Sequence, residues 1–163
     1  MAHDKIAKGA RSVARLAAVQ ALYQMSLTGV SADAVIGEFV EHRFGREIEG
    51  LIYKGVDRAF FEDLVRGTTV RDVEISAHIY GALENECTID RLERILAAAL
   101  RAGAYELVTR IDIPARVVIS EYVDVAHAFF EGPQPGLVNG VLDKLARQLR
   151  SAEMAGKTQK GAA

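Results

Sequence analysis

Arg94-Ile-Leu-Ala-Ala-Ala-Leu-Arg-Ala-Gly-Ala-Tyr-Glu-Leu107 is the stretch on which the fold turns. Leu96, Leu100 and Leu107, with Ile95 and Ala99 beside them, recur at helical spacing and form one apolar stripe. Asp112-Ile-Pro114 closes the following loop, and Pro114 suits the first turn of a new helix, where a missing N–H goes unnoticed. That helix carries Val117, Val118, Tyr122, Val125 and Phe129 on one face. Gly132-Pro-Gln-Pro-Gly136 reads as a second stop, since two prolines and two glycines in five residues oppose helix continuation. A third stripe follows in Leu137, Val138, Val141, Leu142, Leu145 and Leu149. Each stripe has to be buried, and short loops favour antiparallel neighbours, so the spacing predicts a helical bundle.

Working outward, 163 residues with half of them apolar make one compact domain or two small packed bundles. The single cysteine, Cys87, forms no internal disulfide and fits a reducing, cytoplasmic setting. No apolar run approaches the ~20 residues of a membrane span. At the start, Lys5, Lys8, Arg11 and Arg15 precede an Ala/Leu-rich helix with Asp4 as the one acid before Asp33, a pattern that transit peptides share. The net charge of −2 divides unevenly: residues 1–15 carry +3, residues 144–163 carry +4, and the body between them carries −9. Basic ends on an acidic body suggest one surface for a polyanion and another for a basic partner; basic tails that only aid solubility would give the same balance.

In chain order, residues 10–27 form the first helix, with Val13, Leu16, Gln20, Tyr23 and Leu27 on one face. Arg11 and Arg15, one turn apart, are expected on the exposed side, where two guanidinium forks suit two phosphates. Lys5 and Lys8 would extend that patch onto a mobile basic segment, residues 1–9. Ser31 is a plausible N-cap for a short helix over about 32–44. Arg43 to Gly55 reads as a loop. Val56 to Leu83 is helical again, with Phe60, Phe61, Leu64 and Val65 covering one half and Val73, Ile75, Ile79 and Leu83 the other. Gly67-Thr-Thr-Val70 between them suggests a kink or a close-packing point. The expected plan is a helical domain over 10–150, divided roughly into 10–84 and 90–150, with a disordered basic tail over 151–163.

Catalytic chemistry is not visible. The sequence has no glycine-rich phosphate loop, nucleophile elbow or Cys-x-x-Cys pair. Glu74 with His78 and Asp124 with His127 fall at helical spacings but lack the paired Glu-x-x-His form of a di-metal bundle. Acids beside Cys87 oppose formation of a thiolate. The chain is therefore expected to be no enzyme and to need no cofactor or metal.

The sequence resembles the NusB family of bacterial transcription antitermination proteins over roughly residues 10–149. The resemblance rests on Arg11-x-x-x-Arg15 followed by Ala18-Val-Gln-Ala-Leu-Tyr23, and on Ala99-Leu-Arg-Ala-Gly-Ala-Tyr-Glu-Leu107. It continues in Ile113-Pro114-x-x-Val117-x-Ile119-x-Glu121 and in Leu137-Val-Asn-Gly-Val-Leu-Asp143. It implies an all-α fold of about six or seven helices in two packed three-helix subdomains. It also implies binding of boxA RNA in nascent ribosomal transcripts, pairing with the ribosomal protein NusE, and indirect work with other Nus factors and RNA polymerase. Some family members form homodimers.

Carried over by position, the RNA-binding residues are Lys5, Lys8, Arg11 and Arg15, with Gly136, Leu137 and Asn139 from the turn before the last helix. Family members often have an aromatic residue where this chain has Leu137, and leucine offers no ring for base stacking, worth about 1–3 kcal/mol. Tyr23, Tyr105 and Glu106 are the expected partner-binding residues for NusE; packing of these three in the core is the competing reading. Two other functions are compatible with parts of the pattern. One is a helical scaffold for proteins alone. The other is the N-terminal module of an rRNA cytosine methyltransferase, which would need an αβ cofactor domain after it, whereas about 13 residues follow the last expected helix.

Overall fold

A computed structural model describes residues 9–45, 47–48, 51–52, 55–83 and 92–162, of which 47–48, 51–52 and 157–162 are described as backbone alone. The fold is all-helical, with eight α-helices among the described residues. Helix α1 (Ala10–Thr28) ends at Gly29, whose φ of 73° places it in the left-handed region that glycine enters without strain. Helix α2 (Ala32–Glu38) begins as expected, with Ser31 Oγ accepting a bond from Ala34 N at 3.1 Å. A π-helical turn, Phe39–Arg43, extends it and folds Phe39 and Phe44 onto Phe61. Where the sequence suggested only a loop, two antiparallel two-residue strands form, β1 (Glu47–Ile48) and β2 (Leu51–Ile52).

Helix α3 (Arg58–Val70) is capped by Asp57, which accepts from Phe60 N at 3.0 Å. The break before α4 (Asp72–Ala82) falls at Arg71, not at Gly67. Gly67 is instead a close-packing point: a Cβ there would stand 2.2 Å from the Tyr105 ring. Val73, expected in the core beside Ile75 and Ile79, is exposed, because the buried stripe of α4 runs through Ile75, Ile79 and Ala82.

Helix α5 (Arg94–Thr109) is the axis of the molecule and packs against α1, α3, α4, α6 and α7. Its small residues Ala97, Ala98, Ala99, Ala102 and Ala104 are buried nearly all round, so helices can close on it from several sides. Helices α6 (Ala115–Phe129) and α7 (Gln134–Leu149) complete a second group of three with α5, while α1, α2 and α3 form the first; α4 lies against α5 and α7. Helix α7 starts three residues earlier than the stripe suggested. Only Pro133 precedes it, and Pro135 sits in its first turn, where proline costs no hydrogen bond.

A helix follows α7 over the segment expected as a disordered basic tail. Helix α8 covers Ser151–Ala162, anchored by the buried Met154. The joint between α7 and α8 also fastens the α5–α6 corner. The Arg150 guanidinium donates to the carbonyls of Glu106, Leu107, Arg110 and Ile113 at the end of α5 and in the corner, where helical bonding runs out; Glu106 O and Arg110 O accept from Arg110 N and Ile113 N as well. Glu153 accepts from Ala115 N at 2.7 Å, satisfying the first turn of α6. The sequence hid this because a basic, small-residue segment has the composition of a tail, while its two anchoring contacts are long-range.

Candidate nucleic-acid and partner interface

The paired arginines of α1 separate on folding. Arg11 is half exposed, 3.7 Å from Asp57. Arg15 is buried, with only 3% of its side chain accessible, which corrects the expectation that it lies beside Arg11 on the surface. Residues 13–19 of α1 are all buried, because α3, α5 and α6 enclose this turn from different sides. Arg15 is accommodated by Glu106 on α5, whose two oxygens accept from Nε and Nη2, each at 2.9 Å. Glu106 has no accessible surface and also accepts from Tyr122 Oη on α6. Burial would lower the pKa of Arg15, but the hydrogen bond and charge of Glu106 outweigh it and raise the value. Burial, followed by the Glu106 charge, pushes Tyr122 well above the ordinary tyrosine range. The result is a closed bidentate pair with a phenol on its remaining edge, in which a charge inside the protein is tolerable.

Glu106 therefore offers no surface to a partner, which corrects its place on an acidic docking face. Tyr105 is likewise buried; its hydroxyl donates to Asp63 at 2.7 Å, and burial followed by that bond raises its pKa. Tyr23 is half-buried against the core, and Leu27, on the same expected apolar face, is more than half exposed. At the start of α7, Gly136 and Asn139 are exposed, while Leu137 is half-buried and packed on the core. Lys5 and Lys8 lie outside the described residues, as does Cys87. Glu74, Asp124 and His127 stand on solvated faces, and no group of three metal-ligating side chains occurs among the described residues.

Three residues that composition did not single out shape the site. Phe60, read only as core, has the guanidinium carbons of Arg11, Arg15 and Arg110 at 5.0, 5.0 and 5.2 Å from its ring centroid. Arg110 is held by Asp112 and Asp63, and Asp112 is lowered in pKa chiefly by that Arg110 bond. Ser12 Oγ donates to the Glu121 carboxylate at about 3 Å, tying the first turn of α1 to α6. Glu121 stood in a quoted motif, but spacing alone does not show which helix it meets. Arg11 is thus presented on a first turn fixed from two sides, directly after the basic segment that begins the chain.

Comparison with known proteins decides the family. The NusB family model matches residues 12–147. The chain belongs to the NusB family. It is 51% identical over 140 residues to the transcription antitermination protein NusB of Caulobacter vibrioides, covering 86% of this chain and 94% of that one. The NusB of Bradyrhizobium sp. (strain ORS 278) is 51% identical over 147 residues, or 90% and 88% of the two chains. Among solved structures, NusB of T. maritima superposes with a TM-score of 0.70 at 26% identity, covering 86% of this chain and 92% of that one. A structure of the antitermination factors NusB and NusE in complex with dsRNA matches at 0.70 and 27% identity, covering 85% and 96%. The relatives named here are antitermination factors, and this fold, in that structure, accompanies both an RNA and a protein partner. No helix among the described residues is long and apolar enough to cross a membrane.

Proposed function

We propose that the chain binds boxA RNA of nascent ribosomal transcripts together with NusE, in the cytoplasm, and helps couple that RNA to elongating polymerase and the other Nus factors. The observation that supports this most is the match, over 85% of this chain, to the structure of the antitermination factors NusB and NusE in complex with dsRNA. Arg11 then contacts phosphate, with Lys5 and Lys8 extending the contact, and Gly136, Leu137 and Asn139 border the RNA from the start of α7. Single-stranded RNA is read through phosphates, stacking and base edges, so a small surface with few aromatic groups binds modestly and with strong salt dependence. NusE adds surface, not chemistry.

Arg15, Tyr105 and Glu106 act in this reading by holding α1, α3, α5 and α6 in register, while Tyr23 borders the partner surface. The test is a titration of boxA RNA with and without NusE. Tighter binding in the presence of NusE, with a scrambled RNA bound more weakly, is the expected result. Equal affinity for boxA and scrambled RNA under both conditions would remove the boxA reading.

A further inference from the structure

Three contacts fix the start of α1, and each is held on its far side by the joint between α7 and α8. The first runs through Glu106: its carboxylate takes the Arg15 fork, and its main-chain carbonyl accepts from Arg150 Nη2 at 3.0 Å. The second runs through Arg110, whose guanidinium shares the Phe60 ring with that of Arg11 and whose carbonyl accepts from the same Nη2 at 2.8 Å. The third runs through α6. Its Glu121 receives Ser12 Oγ, and its first amide, Ala115 N, donates to Glu153 at 2.7 Å.

The joint is built to hold these groups in place. Arg150 is 8% exposed, and its five N–H groups face five acceptors: the carbonyls of Glu106, Leu107, Arg110 and Ile113, and the Glu153 carboxylate. A planar guanidinium spreads its donors in a fixed fork, so no one carbonyl can shift without losing its bond. Glu153 supplies what Pro114, the residue before α6, lacks: an oxygen for the first free amide, with negative charge at the positive end of the helix. The rest of α8 adds little to the hold. Among its described side chains Ser151, Ala152 and Ala155 are exposed, and Met154 alone is buried.

We propose that Arg150 and Glu153 are positioning residues for the RNA contact of Arg11: the α7–α8 joint sets where the start of α1 presents that guanidinium. The inference rests on the RNA reading above and adds to it a control from α7 and α8. The probe is boxA RNA, titrated across a range of salt against the full chain, Arg11→Ala, Glu153→Ala, Arg11→Ala/Glu153→Ala and Glu153→Gln. Direct electrostatics makes the sign of the effect informative. Removing an acid from a protein that binds a polyanion favours binding, so a loss of affinity in Glu153→Ala reports position and not charge.

Glu153→Ala should bind boxA several-fold more weakly while circular dichroism shows it folded, with its salt slope reduced towards that of Arg11→Ala. The double variant should bind no worse than Arg11→Ala, because the joint then has no phosphate contact left to position. Glu153→Gln keeps an oxygen for Ala115 N and should bind at least as well as the parent. Parent-like affinity in Glu153→Ala, with Arg11→Ala weakened, overturns the positioning role and leaves the RNA reading standing. A double variant weaker than Arg11→Ala by the full Glu153→Ala factor does the same. If Glu153→Ala fails to fold, Glu153→Asp keeps the charge, withdraws the carboxylate from Ala115 N, and is judged by the same outcomes. Parent-like affinity in Arg11→Ala, or no boxA binding by the parent, removes the RNA contact of α1 and this inference together.

Discussion

Two regions of this molecule reverse the usual distribution of charge and oil. Where α1 crosses α5 and α6, an arginine, a glutamate and a tyrosine hydroxyl meet in the interior. Along the outside of α4, two valines and a tyrosine face solvent. Inside, geometry makes the charge tolerable: Arg15 and Glu106 meet fork to fork at 2.9 Å, and Tyr122 satisfies a further lone pair. Outside, among the described residues, nothing covers Val70 and Val73, which are 84% and 85% exposed. The contrast teaches that a charge in the sequence reports function only when its side chain reaches solvent, and an apolar residue reports the core only when its helix turns it inward.

The largest effect should come from breaking the interior half. Arg15→Met leaves Glu106 buried without its counter-charge, and removal of one member of a buried pair costs about 3–5 kcal/mol. Chemical denaturation should show that loss. Adding Glu106→Leu to Arg15→Met should recover much of it, since an apolar pair of similar volume often serves as well as an ionic one. Failure of the second substitution to help would mean that Glu106 is not isolated when Arg15 is removed.

A smaller effect sharpens the same region. Tyr122→Phe leaves one oxygen of Glu106 short of a donor, at about 1–3 kcal/mol. The intact phenol also carries a pH signature. Its folded pKa is raised, so its contribution is complete below the unfolded tyrosine value of about 10 and is lost as pH rises beyond it towards the folded value. Alkaline melting curves should therefore fall more steeply for the parent than for Tyr122→Phe. Parallel curves would show that Tyr122 does not hold its proton against solvent.

The smallest effect on stability belongs to the outer half. Val70→Ser/Val73→Ser should move the unfolding free energy by no more than about 0.5 kcal/mol per site, because neither side chain gives up packing. A loss of several kcal/mol would place the valines in the core and erase the contrast between the two regions.

Much of the architecture was legible in the sequence. The α5 and α7 stripes, the α6 stripe apart from the exposed Val117, the Ser31 cap and the close approach at Gly67 all follow from local spacing and residue size. The site was less legible, because its decisive contacts join residues far apart in sequence. Arg15 and Glu106 are 91 positions apart, and nothing in either neighbourhood announces the other. Arg11 and Arg15 share a helix and a charge, but only the packing of α3, α5 and α6 decides which one faces water. Helix α8 escaped notice for a related reason: Arg150 and Glu153 gain their meaning from carbonyls and an amide at the α5–α6 corner. The family resemblance singled out the start of α1, where Arg11 is half exposed, but not the burial of Arg15 or Glu106, since a motif records positions and not their solvent exposure.

The division of labour between the two arginines is tested most directly by titrating boxA RNA, across a range of salt, against the full chain and Arg11→Ala. Arg11 is half exposed and gives up a long ion pair with Asp57 and a contact over the Phe60 ring, so the variant should melt close to the parent. Its RNA affinity should fall, and the slope of log affinity against log salt should shrink by about 0.7, the release expected for one phosphate contact on a single strand. An affinity and slope identical to those of the parent would contradict the assignment of the α1 surface to RNA.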